Sequence, residues 1–155
     1  MISRRMHLAP FGAALLAPTA ALAQSEAPPL PPSLETLTEV ALTQADGATT
    51  TLGAHLAPGP TIVQFWATWC GPCFAETRHL ARKRRTLGAD RLSIIGINVQ
   101  RRDDRADAEI ARFLERTRPN YPQLRGDMAA YRAFNNGETL LLPRLYVFAA
   151  DGRPA

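Results

Sequence analysis

The stretch TIVQFWATWCGPCFAE, residues 61–76, decides the fold, because it carries an apolar strand directly into two cysteines at the mouth of a helix. Cys70 and Cys73 are separated by one glycine and one proline. Glycine lets the chain turn, and proline fits a first helical turn, where its missing N–H is not needed. Two thiols at this spacing can close a small disulfide or open to a dithiol, so the stretch predicts a redox site.

Cys70 is the predicted attacking sulfur. A helix N-terminus offers unpaired N–H groups and roughly half a positive charge. The pKa of the outer thiol should therefore lie below its ordinary value of roughly 8.5. Cys73 lies one helical step further in and is expected to resolve the mixed disulfide and release the partner.

The two cysteines admit two other interpretations, a metal site and a purely structural disulfide. Zinc requires four ligands, and two cysteines without a second pair or suitably spaced histidines supply half a site. A purely structural disulfide across so few residues would constrain little of the unfolded chain, because its stabilisation grows with ring size. Catalytic thiol–disulfide exchange is therefore favoured, and neither a metal nor another cofactor is predicted.

The motif FWATWCGPCxxE resembles the thioredoxin superfamily, and more narrowly the TlpA/ResA-like exported thiol-disulfide oxidoreductases. The resemblance runs from residue 34 to residue 155 and rests also on three dipeptides, Asp46-Gly47, Leu142-Pro143 and Asp151-Gly152. It implies an α/β fold, thioredoxin-like with three α/β/α layers and an N-terminal β-hairpin. It also implies a protein-disulfide reductase, serving for instance apocytochrome thiols in cytochrome c maturation, with thiol/disulfide proteins as electron donor and substrate.

The N-terminal residues 1–23 read as a secretory signal peptide. A basic start, MISRRMH, precedes an apolar run and the small-x-small tripeptide 21–23. Cleavage after Ala23 is expected, with export to the periplasm by either the Sec or the twin-arginine route. An uncleaved N-terminal anchor stays open as the alternative, and membrane contact is expected only in that case. Residues 24–33 form a proline-rich linker, and residues 34–155 form one thioredoxin-like domain.

The charge balance gives no support for nucleic-acid binding. The chain has 18 Lys and Arg against 14 Asp and Glu. Removing residues 1–23 takes away two arginines and no acids, which lowers the formal charge from +4 to 16 − 14 = +2. So small an excess does not indicate a nucleic-acid partner.

Glu76 is a further candidate catalytic residue. In thioredoxin a buried acid at the position that resembles Gln64 helps to move the proton of the inner cysteine, and an amide cannot exchange that proton. Glu76 stands three residues after Cys73 and therefore on the same helix face. In ResA-like proteins a glutamate here is associated with tuning the site. A helix-start carboxylate that only complements the dipole is the other interpretation, and both stay open.

The predicted substrate-binding residues are Trp69, Leu142 and Pro143. In the family that the chain resembles, the bond before this proline is cis and faces the two sulfurs. The backbone of Leu142 would then pair with an extended substrate chain. Trp69 would shield the site and present a surface to the partner.

The remaining pattern predicts alternating strands and helices. A strand is expected over residues 92–99, an amphipathic helix over 103–117, an irregular connector over 118–124, a short helix over 127–134 and a strand over 145–148. Arginines cluster along the helix that follows the cysteines. They are interpreted as a solvated face, or else as a surface for acidic partners or anionic lipid.

The chain ends at the turn that contains Asp151-Gly152, where the family would add a last strand and helix. A C-terminally truncated version of the fold is therefore expected. The same departure motivates an alternative function, a non-catalytic peptide-binding module or remnant of thioredoxin type.

Overall fold

The computed structural model describes residues 30–103, 105–134, 137 and 139–155. The predicted signal peptide and most of the proline-rich linker lie outside the described residues. Among the described helices, none combines the length and the apolar composition that crossing a membrane requires.

The described elements are six strands, three α-helices and two short 3₁₀ helices. The strands are β1 Ala41–Thr43, β2 Thr49–Thr51, β3 Thr61–Trp66, β4 Ser93–Asn98, β5 Gln123–Arg125 and β6 Arg144–Phe148. The helices are α1 Gly71–Leu87, α2 Ala106–Thr117 and α3 Met128–Arg132. The 3₁₀ helices are Leu34–Leu37 and Gly53–His55.

The strands form one mixed sheet in the order β2-β1-β5-β4-β3-β6. β4 pairs in parallel with both β3 and β5, while the β1–β2, β1–β5 and β3–β6 pairs are antiparallel. The predicted N-terminal hairpin is β1–β2, and its turn uses Gly47 at a φ of +88°, a conformation that glycine adopts without a steric penalty. β3 therefore lies inside the sheet and delivers its carboxyl end to the cysteines.

Alternate residues of β3 face the two outer layers. Val63 and Phe65 pack with Tyr131 of α3 in the main core. On the opposite face Trp66 stacks on Phe113 of α2 at 4.3 Å between ring centroids. Since α1 and α2 cover that second face, the predicted three-layer arrangement is confirmed.

The expectation of an irregular connector is confirmed for residues 118–122 and was wrong for residues 123 and 124. Residues 123–125 form β5, which pairs Leu124 with Ile97 of β4 and Arg125 with Thr43 of β1. Three residues are too few to show a strand period, and the pairing comes from the two neighbouring strands rather than from local preference.

Two helix boundaries also differ from the expectation. α2 begins at Ala106 rather than at residue 103, although Asp103 caps it by accepting hydrogen bonds from the backbone N–H groups of Arg105 and Ala106. α3 covers Met128–Arg132, with Asp127 as its N-cap. Beyond β6, the residues after Gly152 turn back along the sheet, where Ala155 N donates to Val147 O at 2.9 Å.

Candidate active site

Cys70 and Cys73 form a disulfide, with their Cα atoms 5.3 Å apart. Cys70 is the N-cap of α1, and the proline of the motif lies in the first helical turn, as the sequence predicted. The helix therefore directs its unpaired N–H groups and the positive end of its dipole toward the disulfide.

The two sulfurs differ in access. A groove of about 710 Å³ opens beside the disulfide, and Cys70 lines it together with Trp69, Gly71 and Phe74. Cys73 is completely buried and does not line the groove. A partner that enters along this groove meets Cys70 first.

The bond between Leu142 and Pro143 is cis. Leu142 is half-buried and packs against the cluster formed by Trp66, Cys70, Cys73 and Phe113. The structure thus brings Leu142, and the peptide bond before Pro143, to the disulfide. Their roles in substrate binding remain predictions.

The segment before the cis bond is fixed by a side chain that sequence reasoning missed. The hydroxyl of Tyr131 accepts from Leu141 N at 3.0 Å and lies 3.2 Å from Leu141 O. Ten residues separate the two partners in sequence, so no local pattern could have indicated the contact.

Trp69 is 62% exposed, although it directly precedes Cys70. It lines the groove at the disulfide and also a second groove of about 890 Å³ between the N-terminal hairpin, the end of β4 and α3. An exposed indole between two grooves offers apolar contact area to a partner.

A buried amide connects β3 to α1 beneath the disulfide. Gln64 is fully buried, and its Nε2 donates to Glu76 Oε2 at 3.0 Å and to Thr77 Oγ1 at 3.1 Å. Tyr121 donates from its hydroxyl to Gln64 Oε1 at 3.0 Å. We call these four residues the Gln64 network.

Burial raises the pKa of the Glu76 carboxyl, while the hydrogen bond from Gln64 and the charge of His79 act in the opposite direction. Burial also raises the pKa of Tyr121, which keeps its hydroxyl protonated as a donor. Glu76 lies at i+3 from Cys73, a spacing that sets Cβ atoms about 5–6 Å apart on a helix. Helix geometry therefore puts the partly desolvated Glu76 on the face of α1 that also carries Cys73.

A second buried amide holds the loop that leads into Cys70. Gln100 Oε1 accepts from Thr68 N at 3.1 Å and from Thr68 Oγ1 at 2.5 Å. Gln100 Nε2 donates to Glu109 Oε2 at 2.8 Å, and Thr68 Oγ1 lies 3.2 Å from the same oxygen. We call these three residues the Gln100 network. Sequence reasoning missed it because its members lie on a loop, just after a strand and on a helix.

The sequence model of the AhpC/TSA family matches residues 35–153. A thioredoxin of Rhodospirillum rubrum is 42% identical over 43 residues, an alignment that covers 28% of this chain and 40% of the thioredoxin. The chain thus matches two fifths of the length of that curated relative.

Solved structures share the fold. A secreted disulfide oxidoreductase of Mycobacterium tuberculosis is 23% identical with a TM-score of 0.61, over 78% of this chain and 83% of that one. A thioredoxin-related protein of Neisseria meningitidis is 26% identical with a TM-score of 0.58, over 74% and 84%. A thiol:disulfide interchange protein of Chlorobium tepidum is 22% identical with a TM-score of 0.62, over 84% and 86%. These likenesses confirm the thioredoxin-like fold.

Proposed function

This chain belongs to the AhpC/TSA family and has a thioredoxin-like fold, and from that premise we propose that it is an exported thiol-disulfide oxidoreductase of the TlpA/ResA-like kind, acting as a reductase of partner-protein disulfides. The observation that carries the proposal is the Cys70–Cys73 disulfide at the start of α1, with only Cys70 lining the adjacent groove.

The reaction begins from the dithiol form, which a thiol protein generates by donating two electrons. The Cys70 thiolate attacks one sulfur of the partner's disulfide, and the partner's other sulfur leaves as a thiolate. The Cys73 thiolate then attacks Cys70 Sγ, which re-forms the Cys70–Cys73 disulfide and releases the partner's second thiolate. The partner gains two electrons, and this protein is oxidised to the form described here.

The surroundings of the disulfide support this sequence of steps. The helix N-terminus favours the thiolate of Cys70 over its thiol. The groove and the exposed Trp69 supply a surface on which a partner can dock. Leu142 packs against the cysteine cluster, and we expect an extended partner chain to pair with the backbone of Leu142 before Pro143.

Glu76 serves in this proposal as the acceptor of the Cys73 proton. Cys73 is fully buried, so its proton has no direct path to solvent. A carboxylate one helical step away, with a pKa raised by burial, is suited to accept that proton as the mixed disulfide resolves.

Reduction of insulin by dithiothreitol, catalysed by the purified chain, tests the activity. Wild type should accelerate precipitation of the insulin B chain, and Cys70→Ser should be inactive. Reduced Cys73→Ser, mixed with insulin after dithiothreitol has been removed, should accumulate a mixed disulfide. A wild-type chain with a titratable Cys70 thiol and no turnover would contradict the proposal.

Direction and export require separate measurements. Equilibration with glutathione buffers should give the Cys70–Cys73 couple a reduction potential more negative than that of protein disulfide isomerase, which is about −180 mV. A more oxidising value would reverse the proposed direction. Mass spectrometry of the chain recovered from a periplasmic fraction should find Gln24 at the N-terminus, while retention of residues 1–23 would indicate an uncleaved anchor.

A further inference from the structure

Five arginines converge on one cleft between α1 and α2, away from the disulfide itself. The cleft has a volume of about 730 Å³ and is also lined by Glu115 and Thr117. All five side chains belong to exposed residues: Arg78, Arg82 and Arg85 from α1, with Arg116 and Arg118 from the end of α2. We call this feature the arginine cleft.

The arginine cleft has an excess of positive charge, because five arginines and one glutamate, Glu115, line it. Across the described ranges, none of the five guanidiniums forms a salt bridge. Arg78 and Arg82 stand at i and i+4 on α1, where like charges repel one another. The helix dipole favours Arg85 and Arg116 in the last turns of their helices, but it does not favour Arg78 in the middle of α1. The helix dipole and contacts with the Phe74 ring account for part of this positive charge, but the described residues form no ion pair with it.

The arginine cleft is continuous with the groove at Cys70. Glu115 and Arg116 line both of them. Phe74 lines the groove, and its ring has the guanidinium of Arg116 at 5.0 Å and that of Arg78 at 5.9 Å from its centroid. A chain that occupies the groove can continue over this ring into the arginine cleft.

We propose that the arginine cleft binds an acidic segment of the redox partner, with the partner's carboxylates about four to seven residues from the cysteine that exchanges with Cys70. The inference rests on the proposed function and specifies its partner. Along α1, at 1.5 Å per residue, Arg78 stands about 12 Å and Arg85 about 22 Å from Cys70. An extended chain spans these distances in about four to seven residues, at roughly 3.3 Å each.

A polypeptide fits these observations better than a lipid surface. The arginines line a concave cleft that leads to the reactive cysteine, whereas a bilayer would meet the arginines on a protruding face. Asp and Glu side chains can pair with guanidiniums in two-pronged geometry. Opposite charges also accelerate encounter, by about tenfold or more at low salt.

The test compares an acidic and a neutral peptide of the same length, each carrying one glutathionylated cysteine. The acidic peptide has three Asp or Glu residues four to seven positions from the cysteine on either side, and the neutral peptide has Gln there. Glutathione release by the reduced protein gives kcat/KM. Anisotropy of rhodamine-labelled peptides, with Ser in place of Cys, gives binding to the disulfide form without any exchange reaction.

The cleft variant is Arg82→Glu with Arg85→Glu, and the matched control is Lys83→Glu with Arg91→Glu. Both change the net charge by −4, and neither control residue lines the cleft or a groove at the disulfide. A neutral variant, Arg82→Gln with Arg85→Gln, covers the case in which the reversed charges unfold α1, as judged by circular dichroism.

In wild type, the acidic peptide should react about tenfold faster than the neutral one at low salt. The preference should vanish in the cleft variant, persist in the control, and disappear at 1 M salt, where the Debye length is about 3 Å. The affinities measured by anisotropy should show the same preference for the acidic peptide in wild type and in the control, and no preference in the cleft variant.

Three results would overturn the inference. Equal rates and equal binding for the two peptides would show that the cleft does not distinguish an acidic peptide from a neutral one. Equal losses in the cleft variant and in its control would show a general effect of net charge. Binding to phosphatidylglycerol vesicles without binding to the acidic peptide would assign the arginines to a lipid surface. Failure of the proposed function gives a different result, acidic-peptide binding without glutathione release.

Discussion

Two buried glutamines lie on strands or loops that lead toward the cysteine motif, and each donates a hydrogen bond to a helix glutamate. Gln64 donates one hydrogen bond to Glu76 and another to Thr77, and it accepts one from Tyr121. Gln100 directs all its described side-chain bonds to Thr68 and Glu109, and Thr68 Oγ1 also lies within reach of Glu109.

The difference between the networks indicates different tasks. Glu76 accepts from one side-chain donor and is partly buried, a combination that leaves the carboxyl able to gain and lose a proton near the inner cysteine. Glu109 instead accepts from Gln100 Nε2 and so fixes the amide whose Oε1 accepts from Thr68, on the loop that ends at Cys70. We therefore infer that the Gln64 network handles a proton and that the Gln100 network holds a backbone in place.

The largest expected effect is that of Glu76→Gln, which should change the rate of one step of the exchange reaction and not of the other. Without a general base, resolution of the mixed disulfide by Cys73 should slow by about 100-fold, while the first attack by Cys70 should change little. Stopped-flow measurement of the two steps between pH 6 and 8 checks this. Resolution at the wild-type rate across that range would leave Glu76 as a helix-start carboxylate only.

Gln100→Ala should show the opposite pattern. It leaves Thr68 N, Thr68 Oγ1 and Glu109 without the amide, and a broken buried network of this kind costs about 2 kcal/mol of unfolding free energy. Denaturant titration measures that loss. The attack by Cys70 should slow because its loop is no longer fixed, yet the pH dependence of resolution should keep its wild-type shape. A shifted pH profile would contradict the division of tasks.

Tyr121→Phe should have a smaller effect, confined to the Gln64 network. The variant removes the donor to Gln64 Oε1 and keeps the ring, so the unfolding free energy should fall by about 1 kcal/mol. Thermal unfolding checks the value. The attack by Cys70 should be unaffected, and a slower attack would mean that the networks are coupled through β3.

The smallest expected effect is a change of the unfolding free energy with pH. Because the folded-state pKa of Glu76 is raised, its contribution to stability is present below the unfolded-state pKa and is lost as pH rises through the folded-state pKa. Glu76→Gln should therefore gain unfolding free energy relative to wild type over that interval. Gln64→Met removes the hydrogen bond that lowers the folded-state pKa of Glu76 and should extend the upper end of that interval to higher pH. If the unfolding free energies of Glu76→Gln and wild type differ by the same amount at every pH, Glu76 does not titrate over this interval.

The sequence predicted those parts of the site that follow from local chemistry. The CGPC spacing, the helix that starts at it and the apolar β3 all appear in the structure. The cis bond before Pro143 is also present, but it was expected only from the family resemblance. The inner cysteine and Glu76 could be paired in advance because three residues on a helix define one face. Their functional roles stay predictions.

The parts that could not be predicted depend on contacts between distant residues. Tyr121 reaches Gln64 across 57 positions, and Gln100 reaches Thr68 across 32. β5 is too short for its own residues to specify a strand. The run of arginines on α1 was visible, but its meaning depends on Arg116 and Arg118, which only the packing of α2 against α1 brings to the same cleft.

The burial of Trp66 gives the molecule an optical signal of its own. The chain has two tryptophans, and Trp66 is fully buried in the cluster that contains both cysteines, while Trp69 faces solvent. A disulfide near an indole quenches its fluorescence by accepting an electron from the excited ring, and a dithiol does so far less. Reduction should thus brighten a blue-shifted emission from Trp66 over the red-shifted background of Trp69. Each turnover can then be followed in real time without any label.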